Sequence, residues 1–333
     1  MSICLVLVFL VVTGRTSANF VLNGDKQLTI SPHHTNSGQL YDTSQASIVS
    51  GAQAGSLRSY DYSAVNMSGG SIYGNLRSYD YSTAKISGGL VNWLFSYDHS
   101  TTNISDGKVK YLRSYDYGTT NISGGQVKYL RSYDYGTTNI SGGQVRNLRL
   151  YSYSSADISG GNIDWLYACN HSSVNISDGL LENLTAYNSG SVDISGGSLE
   201  SLAAYNSSSV SISGGNLENL TAFNSGSVSI SGGYLENLIA RNHSSITFYG
   251  SDFAIDGTPV PFGEITSILG GYYTREPFRN LTGTLANGDI INNQFRIGND
   301  AEIVLVYAVA PVPEPATILL LGLGALVFIR WRN

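Results

Sequence analysis

The segment Leu112–Tyr129, LRSYDYGTTNISGGQVKY, is one unit of a repeat that fills most of the chain. Its isoleucine belongs to a column of apolar residues that recur every 18 or 19 positions. The column consists of Ile48, Met67, Ile86, Ile104, Ile122, Ile140, Ile158, Ile176, Ile194, Ile212, Ile230 and Phe248. Twelve units with so constant a period indicate a repeat architecture.

Each unit contains two short stretches in which apolar and polar residues alternate, and this alternation predicts strands. A leucine column in the same register runs from Leu57 to Leu238. The Gly-Gly pair and the segment with Asp or Asn provide the turns between the stretches. A single unit cannot bury its apolar face, whereas stacked units share a continuous core. The repeat predicts an all-β fold, a single-stranded parallel β-helix (β-solenoid) of about twelve coils. Eighteen residues equal three hexapeptides, which suits left-handed winding. Right-handed winding is nevertheless favoured, because the inward positions within a coil are not all spaced at multiples of six residues.

The predicted organisation has five parts. A signal peptide at residues 1–18 and an N-terminal cap at 19–37 precede the β-helix repeats at 38–250. Residues 251–309 lose the repeat and are interpreted as a capping segment, because the end of a solenoid exposes unpaired strand edges. An independent binding module is the alternative for that segment. Residues 310–333 form a separate tail.

The N-terminus has features of a signal peptide. The apolar run Ile3–Val12 is too short to span a bilayer, and the small residues Thr16 and Ala18 suit cleavage by signal peptidase. The basic segment that usually precedes such a run is missing, so an atypical leader and a start further upstream are both open. Export is the favoured interpretation.

The tail joins a proline-rich spacer to an apolar stretch and a basic end. Pro313, Glu314 and Pro315 are followed by the apolar run Ile318–Ile329, and then by Arg330 and Arg332. The prolines favour an extended spacer, since proline cannot continue into the following helix. The residues from 316 to 331 are just long enough for a transmembrane helix, with the arginines on the cytoplasmic side.

This order of elements resembles the PEP-CTERM sorting signal of Gram-negative bacteria, which is also labelled the ice-binding protein C-terminal domain. The resemblance covers about the last 23 residues. It implies that the membrane protease exosortase is a partner and that processing occurs near Pro313–Pro315. The sorting signal would then consist of Pro313, Glu314, Pro315, Arg330 and Arg332, with transient anchoring in the inner membrane through the C-terminal helix.

Charge and cysteine content exclude several classes of protein. Only 13% of the residues are charged and the net charge is −6, which argues against nucleic acid as a partner. Cys4 lies in the predicted leader, so Cys169 would be the one cysteine of the mature chain and could not form an intrachain disulfide. Cys169 is interpreted as a substitute in a tyrosine column.

The tyrosine columns are the candidate binding surface. Because neighbours on a strand alternate, a tyrosine three residues after each inward leucine is expected to point outward. Exposed aromatic rows can stack on sugar rings, and the candidate carbohydrate contacts are Tyr79, Tyr97, Tyr115 and Tyr133. The favoured alternative is that these tyrosines stack on each other and stabilise the rod.

Other columns have simpler interpretations. The column from Asp61 to Asp134 needs solvation, cations or pairing with arginines such as Arg113, and calcium is a minor alternative. The asparagines that follow in the same column are expected to form a hydrogen-bonded ladder. A second column changes from Lys110, Lys128 and Arg146 to Glu182, Glu200, Glu218 and Glu236, and is interpreted as a solvated face of changing sign.

Threonine pairs provide a weak ice-binding pattern in three coils, namely Thr101–Thr102, Thr119–Thr120 and Thr137–Thr138. His99 and His171 lie four coils apart and cannot share an ion. We find no pattern that predicts catalytic residues, a metal site or a cofactor, and the chain is not expected to be an enzyme.

The sequence therefore predicts an exported structural or adhesive repeat protein of the cell envelope or extracellular matrix, working with exopolysaccharide. A polysaccharide-binding surface protein that uses the tyrosine rows is the alternative. A polysaccharide lyase-like enzyme, with a site in residues 251–309, and an ice-binding protein are less favoured.

Overall fold

The chain folds into a parallel β-solenoid of about thirteen turns in the computed structural model. The structure describes residues 9–11, 18–31, 34–265, 278–298 and 300–308. These residues contain no helix, and so none that is long and apolar enough to cross a membrane. The predicted all-β parallel solenoid is confirmed. The predicted C-terminal helix lies outside the described residues, and the right-handed winding stays a prediction.

The strands are numbered in chain order. Those of the first half are β1 Phe9–Val11, β2 Ala18–Leu22, β3 Gln27–Ile30, β4 His34–Leu40, β5 Gln45–Ile48, β6 Gln53–Ser59, β7 Ala64–Ser78, β8 Thr83–Ser96, β9 Thr101–Ser114, β10 Thr119–Ile122, β11 Gln126–Ser132, β12 Thr137–Ile140 and β13 Gln144–Leu150. Those of the second half are β14 Ser155–Cys169, β15 Ser173–Tyr187, β16 Ser191–Ile194, β17 Ser198–Tyr205, β18 Ser209–Phe223, β19 Ser227–Arg241, β20 Ser245–Ile255, β21 Thr258–Pro259, β22 Gly263–Glu264, β23 Arg279–Leu285, β24 Ile290–Gly298 and β25 Glu302–Tyr307.

Each coil contributes to two ladders of parallel strands. β10 pairs with β9 and β12, so that Thr119 lies between Thr101 and Thr137. β11 pairs with β9 and β13 on the second ladder. In other coils the two stretches form one long bent strand, as in β14 and β15. The 18-residue offset of the sequence repeat is therefore the register of the sheet.

The core follows from the alternation of side chains along each strand. In β10 and β11 the buried side chains include Ile122, Val127 and Leu130, each 1% exposed or less. The bend between the two stretches requires glycine at Gly125, whose φ is +72°. A Cβ there would lie 2.8 Å from the backbone of the preceding coil, so the Gly-Gly pair lets the coils stack closely.

The ladder begins before residue 38, where the sequence predicted a cap. β3 pairs in parallel with β5, which places Ile30 next to Ile48, and β2 pairs with β4. Strand β1, inside the predicted signal peptide, pairs with β3. The ring of Phe20 occupies the space where Gly38 has no side chain, so this first coil keeps a filled core.

The repeat also resumes after the break at residue 251. β20 runs past Phe248 into antiparallel pairings with β21 and β23, and β23 pairs with β24. β24 and β25 then return to the two parallel ladders, next to β19 and β20. Phe295 joins the leucine column and Leu305 joins the isoleucine column, so the predicted capping segment contains a further coil. β22 pairs with the edge of β25.

Candidate functional site

The turn after each second stretch determines which residues reach the surface. One position of this turn has a φ between 42° and 57°, the left-handed region, in twelve coils. It is occupied by Asp42, Asp61, Asp80, Asp98, Asp116, Asp134, Ser152, Asn170, Asn188, Asn206, Asn224 and Asn242. Asp and Asn tolerate this conformation better than other non-glycine residues. Backbone conformation is therefore the reason for the column that the sequence left unexplained.

The same side chains link one coil to the next. Asp42 Oδ2 accepts a hydrogen bond from the Gly24 amide at 2.9 Å, and Asp61 Oδ2 accepts one from the Asp42 amide at 3.2 Å. In the later coils the link runs between side chains, because Asn206 Nδ2 donates to Asn188 Oδ1 at 3.3 Å. The predicted asparagine ladder is confirmed. The exposed carboxylates of the early coils are satisfied by backbone amides and solvent.

The turn changes type part-way along the rod. In the early coils, such as the one with Asp61, only the first central residue has a positive φ, as in a type II′ turn. From Asp134 and Tyr135 onward both central residues are left-handed, as in a type I′ turn. The amide of Tyr62 donates to the preceding coil at 3.0 Å, whereas that of Ser189 donates to the following coil at 3.4 Å.

The predicted carbohydrate contacts lie in an inner row of stacked rings. Tyr79, Tyr97, Tyr115 and Tyr133 are half-buried. Neighbouring rings are 4.9 to 5.1 Å apart, with interplanar angles of 6° to 8°. Burial, and then the neighbouring tyrosines, raise the pKa of Tyr97. Each ring face is covered by the next ring, so these residues present ring edges and hydroxyls to a ligand and no free faces.

A second, outer row is more exposed. Its members, one position past the turn residue, are Tyr62, Tyr81, His99, Tyr117, Tyr135, Tyr153 and His171. The tyrosines of this row are 53% to 67% exposed, with ring centroids 5.2 to 5.6 Å from their neighbours. These rings also cover each other, so the row is a continuous strip of aromatic edges along the rod.

Arginines pack on aromatic rings, and none of the ion pairs found among the described residues joins an arginine to the aspartate column. Arg113 lies over the Trp93 ring at 5.5 Å, and its guanidinium donates to the Tyr115 hydroxyl at 3.4 Å. That hydrogen bond raises the pKa of Arg113. Arg149 lies over the Tyr167 ring at 4.7 Å. The arginine row therefore belongs to the aromatic surface.

Trp165 differs from the stacked rings, and sequence reasoning missed it. Its side chain is 43% exposed, and its column neighbours are Asn147 and Asn183 in place of aromatic residues. Tyr167 lies beside it with centroids 6.4 Å apart. The signal in the sequence was a tryptophan in an asparagine-rich column. An exposed aromatic ring beside amide side chains is a combination that sugar-binding sites use.

The threonine pairs do not form a double row on the surface. Thr102, Thr120 and Thr138 are fully buried. The outward array is therefore one threonine wide, next to a ladder in which Asn121 Nδ2 donates to Asn103 Oδ1 at 2.9 Å. The paired pattern that suggested ice binding arises because adjacent residues of a strand point to opposite sides.

The column of changing sign borders a groove of about 390 Å³. Lys110, Lys128 and Arg146 line this groove together with Asp164. Among the described residues the ion pairs are His243–Asp300 and Arg279–Asp256, so this column takes part in neither. The face changes from basic to acidic between Arg146 and Asp164, as the sequence predicts.

The remaining reactive groups do not converge in the part of the chain that the structure describes. No group of three His, Cys, Asp or Glu side chains there is arranged to hold a metal ion. Cys169 is half-buried and unpaired, and burial raises the pKa of its thiol. It occupies the next place in the inner tyrosine row after Tyr151, as the sequence indicates.

The sorting residues Pro313, Glu314, Pro315, Arg330 and Arg332 lie outside the described residues, so comparison with known families decides their interpretation. Residues 311–333 match the model of the PEP-CTERM protein-sorting motif. The resemblance seen in the sequence is confirmed. A PEP-CTERM motif implies that the chain is exported, transiently anchored at its C-terminus and processed by exosortase. No curated protein and no solved structure matches the chain.

Proposed function

We propose that this protein is a structural and adhesive rod of the cell envelope or the extracellular matrix, where it works with exopolysaccharide. The observation that carries the proposal is the combination of a PEP-CTERM motif at residues 311–333 with a parallel solenoid of about thirteen turns before it. The rod has no catalytic role in this proposal. Its work is mechanical and depends on length, rigidity and a repeated surface.

Rigidity follows from the way the coils are joined. Strands β5 to β19 are paired on both sides, and their shared core contains side chains that are almost fully buried. Stacked aromatic rows and hydrogen-bonded asparagines add side-chain contacts between the same coils. At a strand spacing of about 4.8 Å, thirteen turns span roughly 60 Å. Such a rod holds its ends at a fixed separation.

Adhesion is supported by the repetition of surface groups. Aromatic edges and arginines recur along the early coils and asparagines along the later coils, at the spacing of the strands. A linear polymer that contacts one coil weakly can contact several coils at once, and this multivalency raises the overall affinity. The two proposed properties therefore come from one feature, the constant register.

The experiment is fractionation of cells that express the full chain or a chain truncated before Pro313. We expect the full chain to be processed and retained in the envelope or matrix, and the truncated chain to be released or mislocalised. Replacing Pro313, Glu314 and Pro315 together by alanine should resemble the truncation. Glu302→Ala, an exposed change in β25, is the control and should behave like the unmodified chain. Identical fractionation of all four chains would refute sorting through the tail.

A second candidate is direct binding of polysaccharide, favoured by the exposed ring of Trp165 between asparagines. A sugar ring needs a free aromatic face, and the stacked tyrosines do not offer one. We expect Trp165→Ala to weaken retention on bacterial polysaccharides more than Tyr115→Ala combined with Tyr133→Ala. An equal or larger loss in the tyrosine variant would return the binding site to the inner row.

A further inference from the structure

One surface column of the rod has its charges sorted by sign. Lys110, Lys128 and Arg146 occupy three consecutive coils, and Asp164, Glu182 and Glu200 occupy the next three. Asp164 is half-buried, and the other five side chains are exposed. The basic stretch spans three coils, the acidic stretch continues through Glu218 and Glu236, and the two stretches meet between Arg146 and Asp164.

This arrangement is unfavourable in a single chain. Like charges are stacked at about 4.8 Å, the strand spacing, where they repel each other. The ion pairs of the described residues involve none of these six side chains. A partner with the opposite order of charges would relieve the repulsion among these six side chains.

We infer that a second copy of this chain packs antiparallel against this face. Reversal of the rod inverts the order of the signs, so a copy turned around the point between Arg146 and Asp164 is complementary at these six positions. Arg146 then faces Asp164, Lys128 faces Glu182 and Lys110 faces Glu200. Because the interface has two-fold symmetry, each pair occurs twice. The constant coil spacing keeps all six pairs in register.

An exposed leucine supports the same register. Leu180 is 59% exposed, whereas the neighbouring coils carry Asn162 and Ser198 at its position. In the antiparallel pair it faces the coil of Lys128 and therefore Gln126, which lines the groove of about 390 Å³. Leu90, which is 43% exposed, belongs to the same groove lining. An isolated apolar side chain thus meets a groove of matching character on the other copy.

This inference goes beyond the proposed envelope role, since side-by-side pairing does not depend on sorting or on a sugar ligand. The full chain in mild detergent is the material for the test, and sedimentation velocity at low and high salt is the measurement. We expect a dimer that dissociates at high salt, because exposed charge pairs are screened. Lys128→Glu and Glu182→Lys should each raise the dimer Kd at least about tenfold.

The double variant decides the register. Lys128→Glu combined with Glu182→Lys restores opposite charges and should return the Kd to within about threefold of the original value. The matched control combines Lys128→Glu with Glu200→Lys, and should bind at least as weakly as the single variants, because position 200 faces Lys110 and both changes then place like charges opposite each other. Leu180→Ser, which copies the residue of the next coil, should also weaken the dimer. Circular dichroism verifies that each variant keeps the fold.

Three results would overturn the inference. The first is a chain that stays monomeric at low salt, whether or not it binds an acidic polysaccharide such as alginate through the basic stretch. The second is a dimer unaffected by Lys128→Glu, which would place the contact outside this column. The third is recovery of the dimer when Lys128→Glu is combined with Glu200→Lys and not when it is combined with Glu182→Lys. That result would require a different register.

Discussion

The coils before Asp134 and the coils after it enclose the same apolar columns and close their turns in different ways. The early coils use one left-handed residue, an aspartate that accepts a backbone hydrogen bond, and two rows of stacked rings. The later coils soon replace these with two left-handed residues and an asparagine ladder, and tyrosines such as Tyr187 and Tyr205 are tilted by 56°. The apolar columns of the core determine the length and register of each coil. The type of turn can vary as long as the turn spans the same distance.

The comparison also separates two sources of stability. The early coils are stabilised on the outside of the rod by aromatic rings that stack from one coil to the next. Later coils gain amide hydrogen bonds at the turn and carry serine where the early coils carry tyrosine. The following experiments test this division, from the largest expected effect to the smallest.

The core should be equally important in both regions. Leu112→Ala in the early coils and Leu202→Ala in the later coils each remove a fully buried side chain. We expect each to lower the free energy of unfolding by about 2–5 kcal/mol. Urea denaturation monitored by circular dichroism is the measurement. A loss below about 1 kcal/mol in one region alone would show that the columns are not equivalent.

The inner aromatic row should matter more in the early coils. Tyr115 stacks on Tyr97 and Tyr133 at 5.1 and 5.0 Å, whereas Tyr205 meets Tyr187 at 6.3 Å and a steep angle. Replacing Tyr115 by alanine should cost about 1 kcal/mol more than replacing Tyr205, because two parallel stacking contacts are lost. Thermal unfolding of the two variants compares them directly. Equal melting temperatures would mean that stacking adds nothing beyond burial.

The second turn position should respond to glycine with opposite signs. Ser207 has a φ of 59°, so Ser207→Gly removes backbone strain and should stabilise the later coil by about 0.5–1 kcal/mol. Tyr81 is not in the left-handed region and stacks on Tyr62 and His99. Tyr81→Gly should therefore destabilise its coil. Chemical denaturation of both variants gives the signs, and two changes of the same sign would contradict the division into turn types.

The C-terminal end should be locally sensitive to acid. The side chain of Asn287 and the amide of Gly233 donate to the Asp289 carboxylate at 2.6 and 2.7 Å, and these bonds lower the pKa of Asp289. A lowered pKa means that the contact stabilises the fold above the ordinary carboxyl range and is lost as pH falls through the lowered value. The protection factor of the Gly233 amide, which compares its hydrogen exchange with the intrinsic rate at the same pH, should therefore fall in strong acid.

Asp289→Asn is the control for that measurement. This variant should give fast exchange at neutral pH already, and little further change in acid. Protection that persists in the variant at neutral pH would show that the packing of β19 against β18, and not the Asp289 carboxylate, protects the Gly233 amide.

Much of the fold was predictable because one period controls it. The columns of Ile122 and Leu130 established the coil length, the inward side and the pairing register before any coordinates were known. The sign change after Arg146 was visible for the same reason. The sorting motif was predictable from the order of a few residues around Pro313, since a linear motif can be recognised without knowledge of the fold.

Other features depend on backbone angles and side-chain packing, which the repeat period of the sequence does not specify. The conformation of Asp116 explains its column, but a sequence gives residue types and no φ values. The tyrosines were correctly placed outside the core, whereas the closeness of their stacking, which covers the ring faces, is a property of the assembled rod. The return of Leu305 to the isoleucine column was hidden because the antiparallel excursion before it breaks the spacing.

The near identity of adjacent coils has a consequence for inheritance. The segments from Leu112 to Lys128 and from Leu130 to Arg146 differ only at their last residue. DNA copies this similar are substrates for slippage and unequal recombination, which add or remove whole coils. Each event leaves every remaining side chain with a partner of the same type and changes the height of the rod by about 4.8 Å. The length of the rod can therefore evolve in steps of one coil. Natural variants of this protein could then differ in rod length without any change in the core.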